Sequence, residues 1–113
     1  MAARASVALD RTFAALADPT RRMLIDRIGG KPHRAGDLCR GLSMSRPAVS
    51  KHLRVLRDAG LVASEARGRE MVYRLSPASP GMMAARVYVD RVSQLWDDAL
   101  AAFKAFAEQE ERQ

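Results

Sequence analysis

The segment Ser45–Val62 constrains the fold of this chain most, because it joins an amphipathic helix to a helix stop signal. Ser45 is a favourable N-cap residue, and Pro47 falls in the first turn, where a missing amide proton costs little. Gly60 provides the left-handed residue that ends many helices. The i, i+4, i+7 spacing of one buried face is kept by Val49, Leu53 and Leu56. The opposite face is basic and carries Arg46, Ser50, Lys51, Arg54 and Arg57. Such a helix suits the major groove of DNA, although an ordinary solvated helix has the same pattern.

Length and composition favour one small globular domain over residues 1–113. The chain has 113 residues, of which 48% are hydrophobic, so it can bury a modest core. Its one cysteine, Cys39, excludes an internal disulfide and fits a reducing compartment. No apolar run approaches the ~18 residues of a membrane span, and the N-terminus lacks a signal-peptide core. We therefore expect a cytoplasmic protein with no membrane partner.

Charge is divided unevenly along the chain. Residues 34–74 hold nine Arg or Lys and four acids, a balance of +5, whereas residues 87–113 hold three bases and six acids, a balance of −3. A basic middle predicts binding to a polyanion, and an acidic end predicts protein contact or solubility.

Seven elements are expected, in the order α-α-α-α-β-β-α. The chain divides into N-terminal helices (1–33), a helix-turn-helix (34–60), a β-hairpin (61–75) and a long C-terminal helix (82–110). The first helix is expected at 7–16 and the second at 19–28, with Asp18 as its cap. Residues 31–34 form an extended linker that could supply one edge strand. Within the hairpin, Met71, Tyr73 and Leu75 alternate with Glu70, Val72 and Arg74, which predicts a half-buried strand.

The C-terminal helix has an apolar stripe at helical spacing: Tyr88, Val92, Leu95, Trp96, Ala99, Phe103 and Phe106. The stripe could fold back over its own domain. We favour packing against a second copy, because a small domain offers too little surface to cover so long a stripe. The expected interface residues are Leu9, Phe13, Tyr88, Val92, Leu95, Trp96, Ala99 and Phe103.

Four blocks occur in one order: Ala15–Arg22, Gly36–Leu38, Ser45–Val62 and Arg67–Leu75. Together they resemble the ArsR/SmtB family of bacterial winged-helix repressors over residues 9–107. The resemblance implies a mainly α winged helix-turn-helix with a small β-hairpin wing. It also implies a homodimer formed by the first and last helices, bound to a two-fold symmetric double-stranded DNA operator that commonly overlaps the protein's own promoter.

Metal-sensing members of that family carry Cys-x-Cys just before an Asp-Leu pair. Here the corresponding positions are Arg34 and Gly36, and the last helix has acids but no histidine. We therefore predict no metal site of the usual family type and no cofactor. One alternative stays open, a metal- or thiol-redox-responsive sensor using Cys39 or the C-terminal helix. An unidentified small-molecule or protein effector is also left open.

The predicted function is a dimeric, sequence-specific transcriptional (auto)repressor. We expect base contacts from Arg46, Ser50 and Lys51, with Pro47 near a thymine methyl group. The full predicted DNA-binding set is Arg34, Ser45, Arg46, Pro47, Ser50, Lys51, Arg54, Arg67 and Arg69, in which the remaining arginines contact phosphate. A protein-interaction module that has lost operator recognition is a further alternative. An enzyme is disfavoured, because the sequence has no nucleophile–base pair, phosphate loop or paired-carboxylate signature.

Overall fold

The computed structural model describes residues 2–112, with side chains described from residue 6. The elements in chain order are α1 (Ala2–Leu16), α2 (Pro19–Ile28), β1 (His33–Arg34), α3 (Ala35–Cys39), α4 (Arg46–Asp58), β2 (Val62–Arg67), β3 (Glu70–Leu75) and α5 (Pro80–Glu111). The chain is mainly helical with one small antiparallel sheet, as the sequence predicted. Helices α3 and α4 form the helix-turn-helix, and the β2–β3 hairpin is the wing.

Capping residues explain where the longer helices begin. The Ser45 hydroxyl accepts the Ala48 N–H at 3.3 Å, as predicted for the start of α4. In the same way the Ser79 hydroxyl accepts the Met82 N–H at 3.2 Å, so α5 begins at Pro80 rather than at residue 82. Helix α1 also begins earlier than expected, at Ala2 rather than residue 7, because its first turns are rich in alanine.

The sheet has three strands in the order β1-β3-β2. The linker at residues 31–34 therefore supplies an edge strand beside the wing, a possibility that the sequence left open. Residue His33 pairs with Tyr73, and Arg34 pairs with Val72. The predicted alternation in β3 is wrong at two residues: Val72, placed on the polar side, is 5% exposed, and Met71, placed on the apolar side, is 36% exposed. Because β3 is the central strand, Val72 has a long side chain beside it on each neighbouring strand, Arg34 and Glu65.

The core lies between the helix-turn-helix and the base of the wing. The predicted inner face of α4 is completely buried, since Val49, Leu53 and Leu56 are each 0% exposed. They pack with residues from α1, α2, α3, the connection after α4 and the sheet: Ala15, Leu24, Ile28, Leu38, Leu61, Val62 and Tyr73. This packing fixes the orientation of α4, so its opposite face must point outward.

Helices α1, α4 and α5 meet at Gly81, a buried glycine in the first turn of α5. The hydroxyl of fully buried Thr12 donates to the Ala59 carbonyl at 3.3 Å. A Cβ at Gly81 would overlap the Thr12 hydroxyl and would lie 3.2 Å from both the Ala59 and Ala8 carbonyl oxygens. The nearby Gly60 has φ +82° and packs against Ser79. We call this contact of α1, α4 and α5 the Gly81 junction.

Gly81→Ala is expected to destabilise the fold by about 1–3 kcal/mol, because the added methyl group has no free space at the junction. The free energy of unfolding in urea measures the effect. Gly30→Ala is the matched control, since a Cβ at Gly30 has nothing within 4 Å. Equal stability of the two variants would contradict the close approach at the junction.

Asp18 is the N-cap of α2. Its Oδ1 accepts the N–H of Thr20 at 2.8 Å and the N–H of Arg21 at 3.1 Å. The pKa of Asp18 is held below its ordinary value of 3.8, mainly by the hydrogen bond from the Arg21 N–H. Desolvation of the carboxylate acts in the opposite direction and raises the pKa. The Thr20 N–H and the charges of Arg21 and His52 lower it further. The Arg21 guanidinium also lies 3.4 Å from Nδ1 of His52, which connects α2 to α4.

Because the folded-state pKa of Asp18 is lowered, the ionised carboxylate stabilises the fold at neutral pH. This contribution is lost as the pH falls through 3.8 towards the folded-state value. We expect the melting temperature of the wild type to fall towards that of Asp18→Asn between pH 6 and pH 3. Asp26→Asn, on the exposed side of the same helix, is the control. A constant difference between wild type and Asp18→Asn down to pH 3 would contradict the expected linkage.

Candidate nucleic-acid interface

Helix α4 presents the predicted DNA-reading residues on one surface. The exposed residues Arg46, Pro47, Ser50, Lys51 and Arg54 cover an arc of about 140° on the helix, opposite the buried residues. The geometry therefore brings these five residues of the predicted set together on one face. Whether each contacts a base or a phosphate stays a prediction.

Ser45 lies at the N-terminal edge of this surface and has a structural role. Its hydroxyl oxygen is used to cap α4. The hydroxyl proton is still available to a phosphate or base acceptor, so capping and DNA contact are compatible.

Two of the predicted phosphate-binding arginines are held in exposed ion pairs. Arg34 Nε lies 3.1 Å from a carboxylate oxygen of Glu70, and Arg67 lies 2.6 Å from one of Glu65. Neither pair was predicted from the sequence. Exposed ion pairs contribute about 0–1 kcal/mol, so exchanging a carboxylate for a DNA phosphate costs little.

Four other cations of the predicted set have no ion-pair partner within residues 6–112: Arg46, Lys51, Arg54 and Arg69. Arg69 follows Gly68, which lies at the tip of the wing and has a φ of +63°. Basic side chains are therefore available both on α4 and at the wing tip, as expected for a surface that follows a DNA backbone.

Gly36 leaves room for Arg46 above α3. The Arg46 Nη2 atom is 3.3 Å from the position that a Cβ on Gly36 would occupy. The guanidinium lies at a surface cavity of about 490 Å³ between α3, α4 and the wing, whose lining includes half-buried Cys39. Cys39 packs against the hydrophobic core.

Metal-ligating residues are dispersed in the part of the chain that the structure describes. Within residues 2–112, no group of three or more His, Cys, Asp or Glu is arranged to hold a metal ion. His33 Nδ1 is 2.8 Å from the Lys31 carbonyl oxygen, and His52 lies against Arg21 on another element.

None of the helices within residues 2–112 combines the length and the apolar composition that a membrane span requires.

The apolar stripe of α5 is covered by its own chain only at its N-terminal end. There Phe13 of α1 packs edge-on against Tyr88, with ring centroids 5.7 Å apart, and Arg91 stacks over Tyr88 at 5.2 Å. Leu9, Phe13 and Val92 are half-buried. Folding back therefore accounts for the first turns of the stripe alone.

Beyond Val92 the stripe is open to solvent. Leu95 is 60% exposed, Trp96 64%, Phe103 71% and Phe106 60%, and Ala99 is also exposed. Val89 and Leu100 are exposed on the same face but are absent from the predicted stripe. Leu100 follows Trp96 by four residues, so helical spacing would have identified it.

Comparison with known proteins agrees with this architecture. Residues 16–65 match a family described as a helix-turn-helix domain. The HTH-type transcriptional regulator Rv2034 of Mycobacterium tuberculosis is 42% identical over 101 residues, covering 89% of this chain and 90% of the relative. The structure of an ArsR-like transcriptional regulator from Rhodococcus sp. RHA1 is 38% identical with a TM-score of 0.67, covering 90% of this chain and 94% of that one. The chain belongs to the ArsR/SmtB family of transcriptional regulators.

This ArsR/SmtB regulator also matches the transcriptional repressor SdpR of Bacillus subtilis, with 32% identity over 60% of this chain and 76% of the relative. Its fold is shared with a homodimeric winged helix-turn-helix DNA-binding domain from Mycobacterium bovis, with a TM-score of 0.63 and 22% identity, covering 82% of this chain and 86% of that one. The winged helix-turn-helix fold and the function as a DNA-binding transcriptional repressor, both predicted from the sequence, are thereby confirmed.

Proposed function

We propose that this ArsR/SmtB regulator acts as a homodimer that inserts two α4 helices into a two-fold symmetric operator and represses its own promoter. The observation that carries the proposal is the outer face of α4. It is exposed and basic, and none of Arg46, Lys51 and Arg54 has an ion-pair partner among the described residues. The completely buried inner face holds this surface in place.

Residue roles follow from position on the helix. Arg46, Ser50 and Lys51 lie in the first two turns, which reach base edges when such a helix enters the major groove. Pro47 presents an apolar ring suited to a thymine methyl group. Arg54 lies one turn further on and would contact phosphate, together with Arg34, Arg67 and Arg69 around the wing.

A second copy of the chain is the partner that best fits the open end of α5. The exposed stripe continues the face that α1 covers within one chain, so it extends an interface already apolar in character. In a two-fold dimer each stripe would cover its counterpart, as an isologous interface requires. The homodimeric assembly of the related Mycobacterium bovis domain supports this arrangement.

Titrating the protein onto its own upstream DNA across a salt series tests the proposal. Four phosphate-contacting arginines per protomer give eight contacts per dimer, which predicts a log–log salt slope of about −7. A symmetric footprint that is unchanged by a metal chelator is the expected result. An absent footprint would contradict the proposal. Binding that depends on added zinc or on reductant would instead support a sensor acting through Cys39 or α5.

Glu70→Gln is expected to raise the DNA affinity about 2- to 10-fold, because it frees Arg34 and removes a charge that phosphate repels. Glu108→Gln is the matched control, because Glu108 also lies in an exposed ion pair, with Lys104 on α5. The substitution changes the net charge by the same amount. Equal affinities of both variants would show that Arg34 does not bind phosphate.

A further inference from the structure

An apolar cavity lies among α1, α2, the end of β3 and the start of α5, and no residue of α4 contributes to its described lining. Its volume is about 510 Å³, within the range of small-molecule pockets. The walls come from the ends of α1 and α2, the linker before β1, the end of β3 and the first turns of α5. The lining includes Leu16, Ile25, Leu61 and Met82, and residues 29–32 and 74–77 complete it.

The charged residues of this cavity all have the same sign. Among the described residues, its lining includes Lys31 and Arg74 and no acid. Neither cation has an ion-pair partner in the part of the chain that the structure describes. The C-terminal end of α2 contributes about half a negative charge nearby, which two full positive charges exceed. The site is therefore complementary to an apolar body with one anionic group.

We propose that this cavity binds an amphipathic monoanion, a carboxylate attached to an aromatic or aliphatic body of about 10–20 non-hydrogen atoms. The apolar body would contact Ile25, Leu61 and Met82, and the carboxylate would pair with Lys31 and Arg74, whose side chains are exposed. The ligand would contact both the wing, through β3, and the first turns of α5. The proposal that this ligand regulates operator binding rests on the proposed function, whereas the proposal that the cavity binds the ligand does not.

The first test compares 2-naphthoate with the neutral 2-naphthamide, which has the same apolar body. Both are titrated into the ¹⁵N-labelled full chain and followed by amide chemical shifts. We expect naphthoate to shift the amides of Gly29, Gly30, Lys31 and Ser76 and to bind at least 10-fold more tightly than naphthamide. Equal affinities, shifts confined to the exposed α5 stripe, or no shifts at all would overturn the proposal.

Two variants test the location. Arg74→Gln should weaken naphthoate binding at least 5-fold and leave naphthamide unchanged, because only the anion uses the charge. Gly30→Leu should exclude both compounds, because Gly30 lines the cavity and a Cβ there has nothing within 4 Å, which leaves room for the larger side chain. Arg112→Gln, with the same charge change at the far end of α5, is the control. Unchanged naphthoate binding in either cavity variant, with the amide spectrum showing a folded chain, would overturn the proposed site.

DNA binding is measured separately, with and without saturating naphthoate. We expect the affinity for the protein's upstream DNA to change at least 3-fold in the wild type and to stay constant in Gly30→Leu. Naphthoate binding without any effect on a tight DNA complex would overturn the regulatory part. If no DNA complex forms in either condition, the proposed function fails, but the amide chemical shifts still show whether the cavity binds naphthoate.

Discussion

The double substitution Arg46→Glu and Lys51→Glu is expected to weaken operator binding at least about 1000-fold. Each base contact by such a side chain contributes ~1–3 kcal/mol, and a dimer would lose four of them. Since about 1.4 kcal/mol corresponds to a factor of ten, even the lower figure gives roughly three orders of magnitude. Fluorescence anisotropy with labelled upstream DNA measures the loss.

The fold should survive this double substitution. Both side chains are exposed, glutamate is as good a helix former as arginine or lysine, and a negative charge near the N-terminus of α4 interacts favourably with the helix dipole. The control is Lys104→Glu with Arg112→Glu, which changes the net charge equally on α5. If the α4 variant still binds its operator, α4 is not the reading helix. If binding is lost but repression in the cell persists, the protein acts as an interaction module.

Phe103→Glu is expected to convert the dimer to a monomer at micromolar concentration. Burying a phenylalanine stabilises by about 1.5–3 kcal/mol, and a two-fold interface contains the substitution twice. The resulting loss of about 3–6 kcal/mol raises the dimer dissociation constant at least ~100-fold. Light scattering after size-exclusion chromatography distinguishes the two states.

Ala101→Glu provides the control on the same helix. Ala101 is exposed and lies two residues from Phe103, about 160° around the helix axis, so a charge there faces solvent in the dimer. The only tryptophan, Trp96, lies on the stripe and gives a second readout. Its emission should shift to the red on dilution of the wild type and should be concentration-independent in Phe103→Glu. A wild-type chain that is monomeric at high concentration would refute the proposed interface.

Local sequence signals predicted the helix-turn-helix well. The cap at Ser45, the buried face of α4 and the end of α2 at Gly29 depend on residues within one or two turns of each other. The pair of Arg67 and Glu65 also follows from local spacing, because residues two apart share one face of a strand. It was overlooked although the sequence contained the signal.

The remaining differences depend on contacts between distant parts of the chain. The pair of Arg34 and Glu70 requires the register of β1 against β3, which sequence periodicity does not specify. Burial of Val72 follows from the central position of β3 in the sheet. The tight fit at Gly81 likewise needs the crossing of α1 and α5, for which the sequence showed only a glycine beside a proline.

The Gly81 junction makes α5 a lever. The 32-residue helix is about 48 Å long, and its first turn packs directly against the end of α4 at Ala59. A tilt of about 5° at this fulcrum would move the far end of α5 by roughly 4 Å. If the far ends are clamped together in a dimer, the same tilt instead moves the two α4 helices relative to each other. A change of one side chain at the fulcrum would therefore alter the half-site spacing that the pair can read, without any change in the residues that touch DNA.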